Sequence, residues 1–412
     1  MGDTQTHDGL LKDFYEDFIG SAVNDKNPLN DVFKPETIPY GGREIKYTTK
    51  VGRNASPFFA AEDGAFPTAG SPTHVQFTIT ARKAIGRIRL TAEVMDDTAK
   101  GEYAYKQAYK EEVKDLIDNF AKRQEFALAT DGRGILARID ETDPDGDQTL
   151  ELDAPGGITH DNFGNRYMQP GMILAAINPA TGAPRAVTAE VSSCNEDGTD
   201  VTMDTSGATW ASAWANSDYL VQAAAASTSA TPSVVDTSWE KAWWGLMALI
   251  DDGTYRDNYF GVSRTTYPNL KSYVRASSGA LAIDTMQLVS DVVAQKLGGS
   301  IDLVLAHHST RRLYLQLLEA DRRYTGEKLA KPDGGTDAFK QGDVPFGSVP
   351  FRAISSFPLD VIMFLDKANS GFVQYVSENG KWEDRDGAIL VRDGTGASAR
   401  HAFEAWYYIR KQ

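Results

Sequence analysis

The chain has 412 residues, 41% hydrophobic and 10% aromatic, so it can bury a full core and form two or three domains. Its formal net charge of −15 argues against binding nucleic acid through a basic face, and Lys and Arg read as scattered singly or in pairs such as Lys122-Arg123, Arg311-Arg312 and Arg322-Arg323. The single cysteine, Cys194, excludes an intrachain disulfide and a cysteine metal cluster, which fits a reducing compartment.

The start, Met1-Gly2-Asp3-Thr4-Gln5, lacks the basic and apolar regions of a signal peptide, and its formal myristoylation pattern at Gly2 is weak. Residues 8–20 place Leu10, Leu11, Phe14, Tyr15, Phe18 and Ile19 on one helical face, with Lys12, Asp13, Glu16 and Asp17 opposite. Residues 24–31 break into extended chain. Two alternating runs, residues 44–51 and 74–94, predict a two-stranded antiparallel arm, which needs support because two strands alone are marginally stable in water. The loop between them carries Phe58, Phe59 and Phe66 among small residues and reads either as an interaction tip covered by a partner or as a loop folded back on its own domain.

A helix of about thirty residues follows, marked by Tyr105, Tyr109, Val113, Leu116, Ile117, Phe120, Ala127 and Leu128. Asp96, Asp97 or Thr98 can cap its start, and Asp131-Gly132 ends it. At 1.5 Å per residue it is on the order of 45 Å long.

From about residue 135 to 225, short extended runs alternate with turns such as Asn178-Pro179-Ala180-Thr181-Gly182 and Asn195-Glu196-Asp197-Gly198, predicting a small β sandwich or barrel that looks inserted. The pattern then turns α/β. Residues 239–251 read as an apolar helix whose richest window, 243–250, is too short to span a membrane, so the chain reads as soluble and intracellular when made. A helix over 284–297 has Leu288, Val289, Val292, Val293 and Leu297 on its buried side, and 303–306 is a fully buried strand. Ser309 caps a helix carrying Leu313, Leu317 and Leu318. Residues 328–342 form a Gly-, Asp- and Lys-rich loop, and strands return at 349–354, 361–365, 372–376 and 402–409. There is no internal repeat.

No catalytic, cofactor or metal site emerges. Asp143-Pro144-Asp145-Gly146-Asp147 resembles part of a calcium loop, but Leu152 stands where the bidentate Glu belongs and Pro144 lies inside, so it reads as a solvated acidic turn. His307-His308-Ser309 opens a helix after a buried strand, yet no G-x-S-x-G precedes it and His7, His74, His160 and His401 show no pairing pattern. Gly132-Arg133-Gly134 and Gly394-Thr395-Gly396 read as turns, and Glu383, Asp384 and Asp386 as a charged connection.

The order of elements resembles the major capsid protein of tailed bacteriophages, the Hong Kong ninety-seven type capsid fold shared with encapsulin shells. Ile301-Asp302-Leu303-Val304-Leu305 with residues 309–324 resembles the axial domain, and Gly347-Ser348-Val349-Pro350-Phe351 through residues 361–366 its returning strands. Residues 380–390 and 402–409 resemble the closing peripheral strands. The resemblance implies an α+β fold divided into an N-terminal arm (1–40), an extended hairpin loop (41–95), a spine helix (96–134), an inserted β-rich module (135–235), an axial domain (236–345) and returning axial and peripheral strands (346–412). It also implies a non-enzymatic shell subunit that forms hexamers and pentamers around double-stranded DNA, assembled in the host cytoplasm with scaffolding protein and portal. An acidic chain suits a wall that should not stick to packed DNA. The start directly at the arm implies a separate scaffolding protein and no large N-terminal cleavage. Lys50 is the lysine nearest the loop of the kind some relatives cross-link, without a matching asparagine partner. The β module implies a surface or decoration-binding role. The alternatives are an encapsulin-type compartment binding cargo enzymes and, further off, an α/β hydrolase using His307 or His308.

Overall fold

The computed structural model describes residues 29, 34–36, 44–59, 66–91, 102–140, 148–204, 210–226, 231–276, 279–297, 300–325, 344–366, 373–382, 391–392 and 402–411. The expected helix over 8–20, the acidic turn at 143–147, the loop at 328–342, Glu383, Asp384, Asp386, Gly394-Thr395-Gly396, His7 and His401 lie outside the described residues.

After a short strand β1 (Lys34–Glu36), β2 (Glu44–Gly52) and β3 (Thr73–Thr80) pair antiparallel from Glu44↔Thr80 to Lys50↔His74 as a two-stranded ribbon. The expected second strand over 74–94 is in fact two strands. The chain leaves the ribbon at Ala81, and β4 (Arg82–Thr91) belongs to another sheet. Three hydrogen bonds fix the turn: the Arg82 guanidinium donates to the carbonyls of Gly132 and Ala242, and Trp243 Nε1 donates to Arg82 O at 3.1 Å. Burial among these groups and the nearby Arg256 cation lower the Arg82 pKa to about 10.

Helix α1 (Glu102–Ala129) has 28 residues and so runs for about 42 Å. Val113, Ile117, Phe120 and Ala121 are buried along it, and from Phe126 to Ala129 the helix is buried all round. Gly86 of β4 lets the strand lie on this helix, since a Cβ there would stand 2.5 Å from the Phe120 ring and 2.6 Å from Leu116. The helix stops as its sequence predicts. Gly132 has φ +76°, and Thr130 Oγ1 donates to Phe126 O at 3.0 Å.

The following segment is a barrel rather than a sandwich. Strands β5 (Ile135–Ile139), β6 (Thr149–Asp153), β7 (Ile173–Ile177), β8 (Pro184–Cys194), β9 (Asp200–Met203) and β10 (Tyr219–Gln222) close in the order β10-β5-β6-β9-β8-β7. Closure leaves no sheet edge among these strands. Leu136, Ile139, Leu150, Leu174, Val191, Val201 and Leu220 share one core cluster with Trp210 and Trp214, so side chains fill the interior. Trp210 opens the single-turn helix α2 (Trp210–Ala213).

The apolar run at 239–251 is not a helix. Only one turn, α3 (Leu246–Leu249), forms. A Cβ on Gly245 would lie 2.3 Å from Ala127 O and 2.4 Å from Thr130 O, so the run crosses the end of α1 as a tightly packed loop, with Trp243, Leu246, Met247 and Ala248 buried. A hairpin of β11 (Asn258–Tyr259) and β12 (Val262–Ser263) follows, its two-residue turn made by Phe260 (φ 48°) and Gly261 (φ 93°).

Helix α4 (Ile283–Leu297), β13 (Leu303–Ala306), α5 (His308–Thr325), β14 (Val344–Phe346), β15 (Val349–Ala353) and β16 (Ile362–Leu365) form an α/β unit with sheet order β14-β15-β13-β16. Residue 345 falls inside β14, so strands on both sides of it share this sheet. The continuous apolar run of β13 has its reason here. Leu303 and Leu305 pack on the α1–α3 side with Phe357 and Met363, while Val304 and Ala306 pack with Met286, Tyr314 and Phe351. The expected buried side of α4 is corrected in part: Met286 is its buried residue, Leu288 is 40% exposed, and Val289, Val292 and Val293 are half-buried.

The chain closes with β17 (Val373–Trp382), β18 (Val391–Arg392) and β19 (Ala402–Lys411). β1 runs parallel to β17. β19 pairs antiparallel with β17, with β18 and, over ten residues from Ala402↔Thr91 to Lys411↔Arg82, with β4. No helix among the described residues is long and apolar enough to cross a membrane.

Candidate assembly surface

The sequence-predicted histidines come to different places. His307 Nδ1 lies 2.7 Å from Ser309 Oγ and accepts the Ser309 N–H at 3.2 Å, so His307 caps α5, correcting the role expected of Ser309. Burial, then the nearby Arg166 cation, push the His307 pKa down to about 4, which keeps the ring neutral near pH 7. His308 is exposed, its ring 5.9 Å from His307. His160 instead sits between barrel and core, with Nε2 3.3 Å from Asp360 Oδ2, and His74 is exposed on the arm opposite Lys50. Among the described residues no group of three His, Cys, Asp or Glu is placed to hold a metal. His307 is thus engaged in capping α5.

The barrel is fastened to the α/β unit beside that cap. Arg166 Nη1 donates to Phe357 O at 3.0 Å and Tyr167 OH to Ser356 O at 2.8 Å. Its other two arginines are used within the barrel, Arg138 on Asp153 and Arg185 on Asp218.

The arm is held along its strands and bare in the loop beyond them. Thr78 N donates to Phe260 O at 2.9 Å, Asn269 Nδ2 donates to Val51 O at 2.9 Å, and Phe77 meets Tyr259 edge-on at 5.4 Å. The hairpin beneath is itself braced by Arg264, which is fully buried. Its guanidinium donates to the carbonyls of Ala248 (2.8 Å), Leu249 (3.0 Å) and Arg256 (2.7 Å), faces Asp251 at 3.4 Å and lies 4.7 Å from the Tyr259 ring centroid. Among the described residues of the tip, the three rings do not fold back on their own domain: Phe58 is 53% exposed, and Phe59 (105%) and Phe66 (99%) are fully exposed.

The sequence reading missed one surface. β4 reads Arg82-Lys83-Ala84-Ile85-Gly86-Arg87-Ile88-Arg89, four cations in eight residues with no carboxylate. Gly86 and Ile88 face α1, while Lys83, Ile85, Arg87 and Arg89 are exposed on the opposite face. The local density of cations carried the signal, and the overall negative charge obscured it.

No protein family and no curated protein matches the sequence. Among solved structures the chain is similar to the cyanophage A-1(L) capsid asymmetric unit, at 12% identity and a TM-score of 0.49, covering 94% of this chain and 88% of that one. It is also similar to a structure from Microbacterium phage Oxtober96, at 9% identity and 0.42, covering 94% and 84%. A third is the capsid of a native GTA particle, at 11% identity and 0.36, covering 95% and 85%.

Proposed function

We propose that this chain is the structural major capsid protein of a tailed bacteriophage, a subunit without catalytic activity that joins its copies as hexamers and pentamers in an icosahedral shell around double-stranded DNA. One observation carries the reading. The Glu44–Thr80 arm is fixed along its strands and presents three phenylalanines to solvent in the loop beyond them. Exposed aromatics of this kind mark an interaction surface, and a strut on a long helix beside a compact α/β unit suits contact with a neighbouring copy. The order of arm, α1, barrel and α/β unit supports the same reading through its resemblance to the capsid fold. Scaffolding protein, portal and a decoration protein are the partners it implies, with assembly in the host cytoplasm and residence in the virion.

The test is size-exclusion chromatography and negative-stain microscopy of the recombinant chain, alone and with a co-expressed scaffolding protein. Closed shells or rings of five and six subunits are the expected result. A monodisperse monomer or dimer at every salt and protein concentration, with scaffold present or absent, overturns the reading.

A further inference from the structure

The barrel meets the α/β unit along one polar seam. From the barrel, the turn Gly164–Tyr167 supplies Arg166 and Tyr167, which donate to Phe357 O and Ser356 O, and His160 Nε2 reaches Asp360 Oδ2 at 3.3 Å. Across the seam, Ile354 N donates to Ala306 O at 3.0 Å, so the stretch after β15 starts beside the end of β13, where His307 caps α5.

Cations outnumber anions around His307. The barrel brings Arg166 and His160 close to it, and α5 brings His308, with Arg311 and Arg312 in the same turn. The opposing carboxylates are Asp360, which is 67% exposed and already on His160, and Glu125 of α1, which acts on Arg166. The seam is also incompletely bonded. Arg166 Nη2, Ser356 Oγ and Glu125 Oε1 are buried without a hydrogen-bond partner. Buried polar atoms left unmade cost free energy, so this is a weak junction.

The protonation state of His307 matters to both sides of it. Its Nδ1 accepts the Ser309 N–H at 3.2 Å, which places the proton of the neutral ring on Nε2. A second proton goes to Nδ1, removes the acceptor that caps α5 and sets a cation beside Arg166. The neutral ring suits the closed seam, and the charged ring suits an open one that water reaches.

We propose that this seam is an acid-sensitive latch: protonation of His307 releases the barrel from the α/β unit while the barrel stays attached to α1. The attachment that remains is Phe126 against Tyr167 at 4.3 Å and Arg123 donating to Gln222 Oε1. The latch does not depend on how copies of the chain assemble. Burial, then the Arg166 cation, hold the His307 pKa at about 4 in the closed seam, against 6.5 when free. The contribution of the neutral ring is therefore complete above about pH 6.5 and lost as pH falls toward 4. Between pH 7.5 and 5 the opening constant should rise about five- to thirty-fold, the lower figure allowing for screening at a partly exposed ring.

The test is hydrogen–deuterium exchange of the full chain, read by mass spectrometry at pH 7.5 and 5 and corrected for intrinsic exchange rates. Peptides covering residues 160–168 and 354–360 should lose about five- to thirty-fold in protection, while those of β13 and the end of α1 change by less than about two-fold. His307→Asn keeps an acceptor that does not titrate, and its seam peptides should change by less than about two-fold. His307→Gln gives the same reading if Asn disturbs the cap. His74→Asn, on the exposed arm, should retain the full response. Unchanged seam protection in the wild type overturns the proposal. So does an equal loss in both His307 variants, and so does an equal loss in β13 and α1, which would mean global unfolding rather than a latch.

Discussion

Replacing Phe58, Phe59 and Phe66 together by Ser separates folding from assembly. With Phe59 and Phe66 fully exposed and Phe58 about half exposed, their burial against a neighbour is worth roughly two and a half whole side chains. At about 1.5–3 kcal/mol for each Phe buried, the gross gain is about 4–7 kcal/mol per arm. Ordering three side chains takes back about 1 kcal/mol each, which leaves roughly 1–4 kcal/mol. That is about five- to several-hundred-fold in the constant of each contact, and the proposed shell would repeat the contact in every subunit. The free chain loses no packing, so its melting temperature should move by less than about 2 °C. Circular dichroism melting checks the fold, and microscopy with size-exclusion chromatography checks assembly. Shells or rings at the wild-type yield and concentration would refute the reasoning, as would a large fall in melting temperature.

Three further changes probe the frame beneath the arm. Arg264→Met removes the partner of the buried Asp251 and leaves three carbonyls without their donor, so denaturant unfolding should show a loss of about 3–5 kcal/mol. Gly245→Ala is a test by sign: a helix over 239–251 would gain about 1 kcal/mol from it, whereas the contact at 2.3 Å from Ala127 O requires a loss of about 3 kcal/mol or more. His307 tests pH dependence. Its pKa is about 4 in the folded chain and 6.5 when unconstrained, so the unfolded chain binds the extra proton and stability falls as pH drops from about 6.5 to 4. Screening at this partly exposed ring holds that contribution to about 1–2 kcal/mol. His307→Asn keeps a capping side chain, and its melting temperature should fall less steeply than the wild type's across that window. Equal slopes would count against the burial argument.

Much of the fold was legible where local rules and tertiary packing agree. The periodicity of α1, its stop at Gly132, the turn-separated strands of the barrel and the unbroken apolar run of β13 each follow from one pattern with one physical cause. The misses share a different origin. Alternation passes through Ala81 undisturbed because both sides are strands, and the bonds of Arg82 with Gly132, Ala242 and Trp243, 50 to 161 residues away, decide where the chain turns. Residues 239–251 have the hydrophobicity of a buried helix, but the carbonyls at the end of α1 leave Gly245 no room for one. The exposed tip was readable from three Phe among small residues. The basic strand was not, because a net charge sums over surfaces that a partner meets one at a time.

The arm's reach depends on how its base is built. A two-stranded ribbon is marginal alone, and nine residues of β2 at 3.3–3.4 Å each span about 30 Å, so where Phe59 stands depends on what the ribbon rests on. The ribbon rests on few contacts, with Phe260 and Tyr259 near its base and with Asn269 at Val51, toward the tip. A surface hairpin of two-residue strands would be a poor footing. Here Arg264 and Asp251 tie it to α3, and Trp244 stacks on Phe260 at 4.2 Å, so the footing is joined to the same buried core that ends α1. A buried Arg–Asp pair is a weak source of net stability, but it admits few alternative geometries. Its value in this fold is directional, since it fixes where a bare tip stands before any partner arrives.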